Sequence, residues 1–298
     1  MKRSIGEKTF NIFNIIFMTL FGAICLFPYL NQLAYSLNDG MDSLRGGLTI
    51  FPRAFTLANY KAVLTSNAIW KAAGVTISRV ILKGGLTLLT TYMAAYVLSR
   101  KALPYRKGLS LFLMLPSYIS AGVIPTYVMY RNYGLIDNYL VYILPGLFVF
   151  YYMIIIRSFL QDLPESLEES AKLDGANDFT IMVRIIMPIS IPVIACVALW
   201  VAVDAWNDWN TTLLYVTNND LYTLQYHMMR LIKETGMKEA MNETASALVT
   251  QAGKDEEKLI SEGVRAATVI VTTIPIIMVY PFLQKYFISG ITLGAVKG

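Results

Sequence analysis

"EESAKLDGANDFTIMVRIIMP", residues 168–188, is a short polar stretch that separates two long apolar runs of the chain. Acidic side chains open it, Gly175 interrupts it, and Pro188 closes it. A plain connection between two helices is one explanation of this pattern, and a docking element for another protein is the second. The composition of the chain and the local signals within 168–188 are needed to decide between them.

The composition is that of a membrane protein. Of the 298 residues, 55% are hydrophobic and 15% are charged, whereas soluble domains carry about 25% charged residues. Apolar runs recur from the N-terminus almost to the C-terminus, which predicts one membrane domain over 1–298 rather than two soluble domains. The net charge of +5 is modest and spread along the chain, so it indicates membrane orientation rather than binding to nucleic acid.

A transmembrane helix needs about 20 apolar residues, and six stretches of the sequence meet this requirement. These predicted spans are Ile12–Leu37, Ala72–Leu98, Leu109–Tyr130, Tyr139–Ile156, Ile181–Ala205 and Ala266–Phe287. The sequence therefore predicts an all-α polytopic membrane protein with six transmembrane helices. In this prediction 12–37 is an additional N-terminal span, 70–288 is the core bundle, and 207–265 is an extracellular helical loop.

Basic residues set the predicted orientation, because cytoplasmic connections are enriched in Lys and Arg. The connection 99–108 contains four basic residues, Arg100, Lys101, Arg106 and Lys107, whereas the next connection contains one basic residue, Arg131. Both termini and the polar stretch 168–188 are therefore predicted to be cytoplasmic. The connections 38–70 and 207–265 then lie outside the cell.

The outer loop 207–265 is too long for a simple connector. Strong helix formers and charges of both signs predict surface helices there, which would serve as a platform for an extracellular binding protein. Disorder is the alternative for 235–258.

Local signals in the polar stretch predict a helix, a sharp turn and a second helix. Pro164 suits the first turn of a helix, where a missing N–H costs nothing, and the acidic residues that follow complement the positive end of the helix dipole. Gly175 readily adopts the left-handed conformation that ends a helix, and Asn177 or Asp178 can cap the next one. An apolar strip at four-residue spacing, suited to a groove, consists of Leu163, Leu167 and Ala171.

The polar stretch resembles the EAA signature of the membrane subunits of ABC importers. That signature reads Glu-Ala-Ala, three residues, Gly, nine residues, and Ile-x-Leu-Pro. The matching residues are Glu169, Ser170, Ala171, Asp174, Gly175, Ala176, Ile185, Met187 and Pro188. The nine-residue gap before Ile185 is kept, whereas Ser170 replaces the first alanine and Met187 replaces leucine. The resemblance implies the type I ABC importer permease fold.

The C-terminal segment YPFLQKYFISGITLGAVKG, residues 280–298, resembles the tail of maltose-type carbohydrate permeases. Within that family the chain is similar to the branch that takes up complex oligosaccharides and polysaccharide fragments in Gram-positive bacteria. The segments TLQYHMMRLI and AWNDWN fit the same group.

The resemblance implies a coupling helix that seats in a cleft of a separate ATPase subunit, whose ATP-driven closure reorients the spans. The residues that it assigns to ATPase coupling are Glu168, Glu169, Ala171, Asp174, Gly175, Ala176 and Pro188. The implied partners are a second homologous permease, two ATPase subunits, an extracellular lipid-anchored solute-binding protein and a carbohydrate, all at the bacterial cell membrane. This chain would need no cofactor, because the partner would use the ATP. An ion-coupled carrier or channel that works without an ATPase is the alternative.

Candidate contacts for a sugar cargo lie at the outer end of the fifth predicted span. They are Trp200, Asp204, Trp206 and Asn207. Trp200, Asp204 and Asn207 share roughly one helical face at spacings of four and three. An aromatic belt at the membrane interface is the alternative, and the sequence favours it.

Two basic residues, Arg79 and Lys83, lie one turn apart inside the second predicted span. Charges within a span either face the bundle interior or snorkel to the surface. Arg79 is about two turns from the start of this span, which favours snorkelling toward the outer surface.

Enzymatic chemistry finds little support in the sequence. His227 is the only histidine, and the motifs His-Glu-x-x-His, Gly-x-Ser-x-Gly and Gly-x4-Gly-Lys-Ser/Thr do not occur. The sequence therefore predicts a protein that is not an enzyme, has no metal site and relies on a partner for ATP hydrolysis.

Overall fold

The computed structural model describes residues 5–43, 45–233, 262–279 and 281. Within these residues the regular secondary structure is helical, apart from one antiparallel bridge between Asn38 and Phe55. The all-α prediction is confirmed for this part of the chain. The segment 235–258 and nearly all of the tail 280–298 lie outside the described residues, so the predictions made for them stay predictions.

The described helices are labelled in chain order. They are α1 (Ile5–Ser36), α2 (Gly40–Ser43), α3 (Ala58–Thr65), α4 (Asn67–Ser99), α5 (Arg106–Tyr118), α6 (Val123–Asn132), α7 (Phe150–Gln161), α8 (Ser166–Leu173), α9 (Asp178–Ile189), α10 (Ile191–Asn207), α11 (Asn210–Tyr215), α12 (224–233) and α13 (Glu262–Val279). Two short 3₁₀ helices, Tyr139–Tyr142 and Asn219–Leu221, join them, and Ile181–Ile186 within α9 is π-helical.

Three described helices, α1, α4 and α13, are long and apolar enough to cross a bilayer alone. Two bent pairs pass the same test together, α5 with α6 at 108° and α9 with α10 at 81°. The third and fifth predicted spans are therefore broken helices. Gly122 with φ +85° ends the first break. At the second break Pro188 and Pro192 flank the bend, and each lacks a backbone N–H for the helical ladder.

The fourth predicted span, Tyr139–Ile156, is not one helix. Its first four residues form a 3₁₀ helix, and α7 begins only at Phe150. Pro145 and Gly146 (φ +76°) lie between them and interrupt the helix although every neighbour is apolar. The 12 residues of α7 extend about 18 Å, which is shorter than the hydrocarbon core of a bilayer.

One compact unit of the chain contains residues 71–227 and 275–281. Its main core is formed by α4, α7, α9 and α10, which are apolar around most of their circumference. The residues with no exposed surface at its centre are Ala95, Met153, Ile156, Ile181 and Val197. Close packing of these side chains stabilises the helix bundle within a membrane and positions the ends of α4 and α10 for the polar contacts described below.

The other compact unit contains residues 5–70 together with 228–233 and 262–274. None of the most apolar stretch of α1 is buried by the chain itself. A helix that is apolar all round and not covered by its own chain is suited to a membrane. The single domain predicted over 1–298 stays a prediction.

Candidate functional site

The polar stretch forms the helix and turn that its local signals predicted. At the end of α8 the Gly175 N–H donates to the Lys172 carbonyl at 3.0 Å, and the Ala176 N–H donates to the Ala171 carbonyl at 2.9 Å. These two bonds define a Schellman motif. Gly175 has φ +80°, so the predicted glycine stop is confirmed.

The helix that follows also starts as predicted. The Asn177 side chain accepts a hydrogen bond from the Thr180 N–H at 2.8 Å and caps α9. The start of α8 differs from the prediction. The helix begins at Ser166, so Pro164 lies two residues before it and not in its first turn.

The apolar strip of α8 faces its own chain. Ala171 is 6% exposed and belongs to the main core, and Leu163 packs against that core. Ala171 is therefore covered by its own chain, and its assignment to ATPase coupling stays a prediction. The exposed side of α8 consists of Glu169, Ser170, Lys172 and Leu173, followed by Asp174.

Two large apolar side chains on the exposed side were not predicted from the sequence. Leu173 is 89% exposed at the last turn of α8, and Phe179 is 67% exposed at the first turn of α9. Exposed apolar side chains on a polar segment are typical of a protein docking surface. The exposure of Leu173 could have been predicted from the sequence, because Leu173 is apolar but lies outside the four-residue spacing of the apolar strip.

A second feature, here called the inner cluster, consists of Tyr96, Arg100 and Glu168. The Arg100 guanidinium forms an ion pair with the Glu168 carboxylate and lies 3.8 Å from the centre of the Tyr96 ring. The Tyr96 hydroxyl donates to the Asp178 carbonyl at 3.2 Å. The C-terminal end of α4 is therefore connected to both α8 and α9, and Glu168 is engaged within its own chain.

A neighbouring pair adds to this connection at the water-exposed edge. The Lys101 ammonium donates to the Glu165 carboxylate just before α8. This hydrogen bond and the positive charge hold the pKa of Glu165 below its usual value.

A third feature, here called the outer cluster, consists of Arg79, Tyr142 and Asp208. Arg79 is completely buried, and it donates to the Asp208 carbonyl at 2.9 Å and forms an ion pair with the Asp208 carboxylate. The Arg79 guanidinium lies 4.8 Å from the centre of the Tyr142 ring. The expectation that Arg79 snorkels to the surface was therefore wrong, because the folded chain supplies its counter-charge.

Further hydrogen bonds surround the outer cluster. The Tyr142 hydroxyl bonds to the Thr212 hydroxyl at 2.9 Å and donates to the Leu221 carbonyl at 2.8 Å. The Thr76 hydroxyl accepts from the Leu224 N–H at 2.8 Å. The residues that follow α10 are thus held against α4 by buried polar contacts.

The candidate cargo residues separate into two groups. Trp200 and Asp204 line an open cavity of about 440 Å³. The other residues of that cavity are Val149, Tyr151, Tyr152, Leu199, Val203 and Ile276. The Tyr152 hydroxyl donates to the Asp204 carboxylate at 2.7 Å, and its ring stacks on Trp200 with centres 6.0 Å apart.

The remaining two candidate cargo residues do not line this cavity. Trp206 is buried and lines a smaller apolar cavity of about 300 Å³, whereas Asn207 is exposed at the end of α10. Tyr151 and Tyr152 were missed because they come from α7, a helix remote in sequence.

The sequence was compared with those of known protein families. Residues 87–293 match the family described as the binding-protein-dependent transport system inner membrane component. The chain belongs to this family. The predicted membership in the membrane subunits of ABC importers is thereby confirmed.

A curated relative of this inner membrane component is the polygalacturonan/rhamnogalacturonan transport system permease protein YtcP of Bacillus subtilis (strain 168). It is 31% identical over 293 residues, which cover 98% of this chain and 99% of the relative.

Two solved structures share the fold. A bacterial ABC transporter involved in the import of the acidic polysaccharide alginate contains a chain that is 24% identical, with a TM-score of 0.82 and coverage of 96% of this chain and 99% of that one. A bacterial alginate ABC transporter in complex with an alginate pentasaccharide-bound periplasmic protein gives a TM-score of 0.58 at 15% identity, with coverage of 93% of each chain. These likenesses confirm the importer permease fold.

Proposed function

We propose that this chain is the permease subunit of an ATP-driven importer for carbohydrate oligomers. Its partners are a second permease, two ATPase subunits and a lipid-anchored solute-binding protein outside the cell. The observation that carries the proposal is the segment from α8 to α9, which has the family signature and presents an exposed apolar and charged face. Two of the similar proteins belong to systems for polygalacturonan/rhamnogalacturonan transport and for import of the acidic polysaccharide alginate, which supports a carbohydrate cargo.

The exposed face of α8 is the proposed contact with the ATPase. Leu173 and Phe179 supply apolar surface, and Glu169 supplies a carboxylate for a basic partner residue. Gly175 and Ala176 hold this face by the Schellman turn, whereas Ala171 and Glu168 anchor it to the chain's own core and to the inner cluster. Pro188 lies near the 81° bend through which movement of α8 reaches α10.

The cavity beside Trp200 is the proposed contact with the cargo in this subunit. Aromatic faces bind the apolar faces of sugar rings, and a carboxylate accepts hydrogen bonds from hydroxyl groups. Trp200, Tyr151 and Asp204 offer these groups together. An aromatic belt explains isolated tryptophans, but the carboxylate hydrogen-bonded to Tyr152 favours a polar ligand.

The proposed setting is the bacterial cell membrane, with both termini in the cytoplasm. The basic residues around 99–108 support this orientation. The orientation places α8 on the side where ATP is available and the Trp200 cavity toward the outer half of the membrane. ATP is used by the partner ATPase, so this chain binds no cofactor in the proposal.

Substitution of Gly175 tests the proposal. A β-carbon added to Gly175 would have no atom within 4 Å, so Gly175→Val acts through strain of its positive φ, which costs about 1–2 kcal/mol. We expect normal abundance of the complex but about tenfold lower cargo-stimulated ATP hydrolysis and uptake, because about 1.4 kcal/mol corresponds to a factor of ten. Glu169→Lys, which reverses a charge on the same face, should have the same direction of effect.

The matched control is Gly134→Val. Gly134 also has a positive φ (+66°) and open space around it, but it lies in the predicted outer connection. This variant should keep stimulated hydrolysis. Normal transport by Gly175→Val and Glu169→Lys would contradict the coupling role, and uptake that persists without ATP while a proton gradient is held would establish the carrier alternative.

A further inference from the structure

The segment after α1 folds back along that helix. Gly46 and Gly47 adopt φ of +67° and +71° and reverse the chain. The Asn31 side-chain amide then donates to the carbonyls of Leu48 at 2.9 Å and Thr49 at 2.8 Å. Asn31 lies five residues before the end of α1, so the backbone at 48–49 returns about 7.5 Å along the helix.

The level of Asn31 in the membrane follows from the pattern of charge along α1. Lys8 is the last charged residue before an uncharged run that extends to the end of the helix. A hydrocarbon core needs about 20 residues of helix, and if Lys8 lies at the cytoplasmic surface this core ends near residue 30. Asn31 is therefore at the outer boundary of the hydrocarbon, and the backbone at 48–49 lies at the same level. Residues 50–51 follow directly, before the chain reaches Asn38 at 53–54.

The side chains at this level suit lipid rather than water. Phe51 is 79% exposed and Ile50 is 40% exposed. The next charged side chain, Arg53, is paired, because it donates to the Asp42 carboxylate at 2.9 Å and to the Gly46 carbonyl at 2.9 Å. The segment thus presents two uncovered apolar side chains and no free charge.

A buried polar network keeps this arrangement in place. Asn38 is completely buried, and its side-chain oxygen accepts from the N–H groups of Arg53 and Ala54, each at 2.8 Å. Its amide donates to the Ser43 hydroxyl at 2.9 Å. The Asn38 amide also donates to the Asp42 carboxylate and holds the pKa of Asp42 below its usual value.

We propose that residues 48–51 are a lipid-contact element, in which Ile50 and Phe51 enter the outer leaflet at the boundary between headgroups and acyl chains. The occupant of this surface is bilayer lipid. Three features support lipid: the segment returns to the level of the hydrocarbon boundary, it has no free charge, and it is continuous with a helix whose apolar length its own chain leaves uncovered.

Site-directed spin labelling of the full chain, purified with its co-expressed partners, tests this proposal. Both native cysteines, Cys25 and Cys196, are first replaced by alanine. A label at Phe51→Cys is compared with one at Arg45→Cys, an exposed position of the same segment, in vesicles of phosphatidylethanolamine and phosphatidylglycerol. Power saturation with oxygen, which partitions into the bilayer, and with a water-soluble nickel chelate reports the depth of each label.

We expect the label at 51 to collide more often with oxygen than with the nickel chelate, and the label at 45 to show the reverse preference. Ile50→Cys, at the neighbouring exposed position, should agree with 51 and guards against a local effect of replacing the aromatic ring. Equal nickel accessibility at 45 and 51 would overturn the proposal. Accessibility at 51 that falls only when the solute-binding protein is added would instead establish a protein docking surface.

Discussion

The outer cluster and the inner cluster each connect α4 with the chain around α9 and α10. In the outer cluster, the Arg79 side chain is fully buried and its partner Asp208 is 25% exposed. In the inner cluster, Arg100 and Glu168 are each 25% exposed. Both pairs join an arginine of the second span region to an acidic residue near the fifth, but they differ in how much water reaches them.

That difference predicts different roles. Removing one partner of a buried ion pair leaves an unpaired charge without water and is strongly destabilising. A pair that water reaches contributes little to stability and can separate at small cost. We therefore expect the outer cluster to hold its elements together throughout a transport cycle, whereas the inner cluster can change when α8 moves.

Arg79→Met should have the largest effect on stability. It removes the fully buried cation from the Tyr142 ring and leaves the Asp208 carboxylate without its counter-charge. We expect a loss of about 3 kcal/mol, the lower end for a buried pair, because Asp208 is 25% exposed and water screens its remaining charge. Thermal unfolding of the detergent-solubilised complex measures this loss.

The matched variant is Arg79→Met combined with Asp208→Asn. Asparagine keeps an acceptor for the Thr211 N–H, which now bonds to Asp208 at 3.0 Å, while the unpaired charge is gone. The double variant should recover part of the lost stability. If Arg79→Met lowers the free energy of unfolding no more than loss of a surface ion pair does, the two clusters do not differ in their contribution to stability.

A double-mutant cycle at the inner cluster should change coupling more than stability. Arg100→Gln and Glu168→Gln should each cost about 1 kcal/mol or less in unfolding, yet each should lower cargo-stimulated ATP hydrolysis, because α8 loses its connection to α4. Stimulated hydrolysis is measured at matched protein levels for both single variants and the double variant.

The cycle separates two roles of Glu168. If Glu168 acts only by positioning α8 through Arg100, the double variant should be no worse than either single one. If the losses of stimulated ATP hydrolysis in the two single variants add up in the double variant, Glu168 also contacts the ATPase directly and is part of the docking face.

Short-range features of the molecule were predictable, since their causes lie within a few residues. The stop at Gly175 and the cap at Asn177 follow from the conformational freedom of glycine and the reach of an asparagine side chain. The break at Pro145 and Gly146 was also visible in the sequence. It was missed because the uniform apolar character of 139–156 was given more weight than these two residues.

Long-range contacts were not predictable, because packing alone decides which side chains meet. Arg79 and Asp208 are 129 residues apart, and nothing in the local sequence of either identifies the other. The cavity shows the same limit. Helical spacing placed Trp200 and Asp204 on one face correctly, but Tyr152, which stacks on the first and donates to the second, comes from α7.

A third connection, exposed to water at the predicted outer surface, extends the comparison and should give the smallest effect. Asp137 accepts from the Thr217 hydroxyl at 2.6 Å and from the Asn218 N–H at 2.9 Å. The Thr217 hydroxyl is the largest influence that holds the pKa of Asp137 below its usual value of 3.8. A carboxylate with a lowered pKa stabilises the fold above that value, and this contribution is lost as the pH falls below it.

Asp137→Asn isolates this connection, because Asp137 has φ +54° and asparagine tolerates that conformation better than most residues. We expect a small decrease in the thermal midpoint near neutral pH, well below that of Arg79→Met. The difference between the unsubstituted protein and Asp137→Asn should shrink as the pH falls through 3.8, because protonation removes from Asp137 the charge that the variant already lacks. Thermal unfolding in detergent between pH about 3 and about 6 measures both curves. A difference that stays constant over this range would show that the Asp137 charge does not contribute, and that its hydrogen-bond geometry alone holds Thr217 in place.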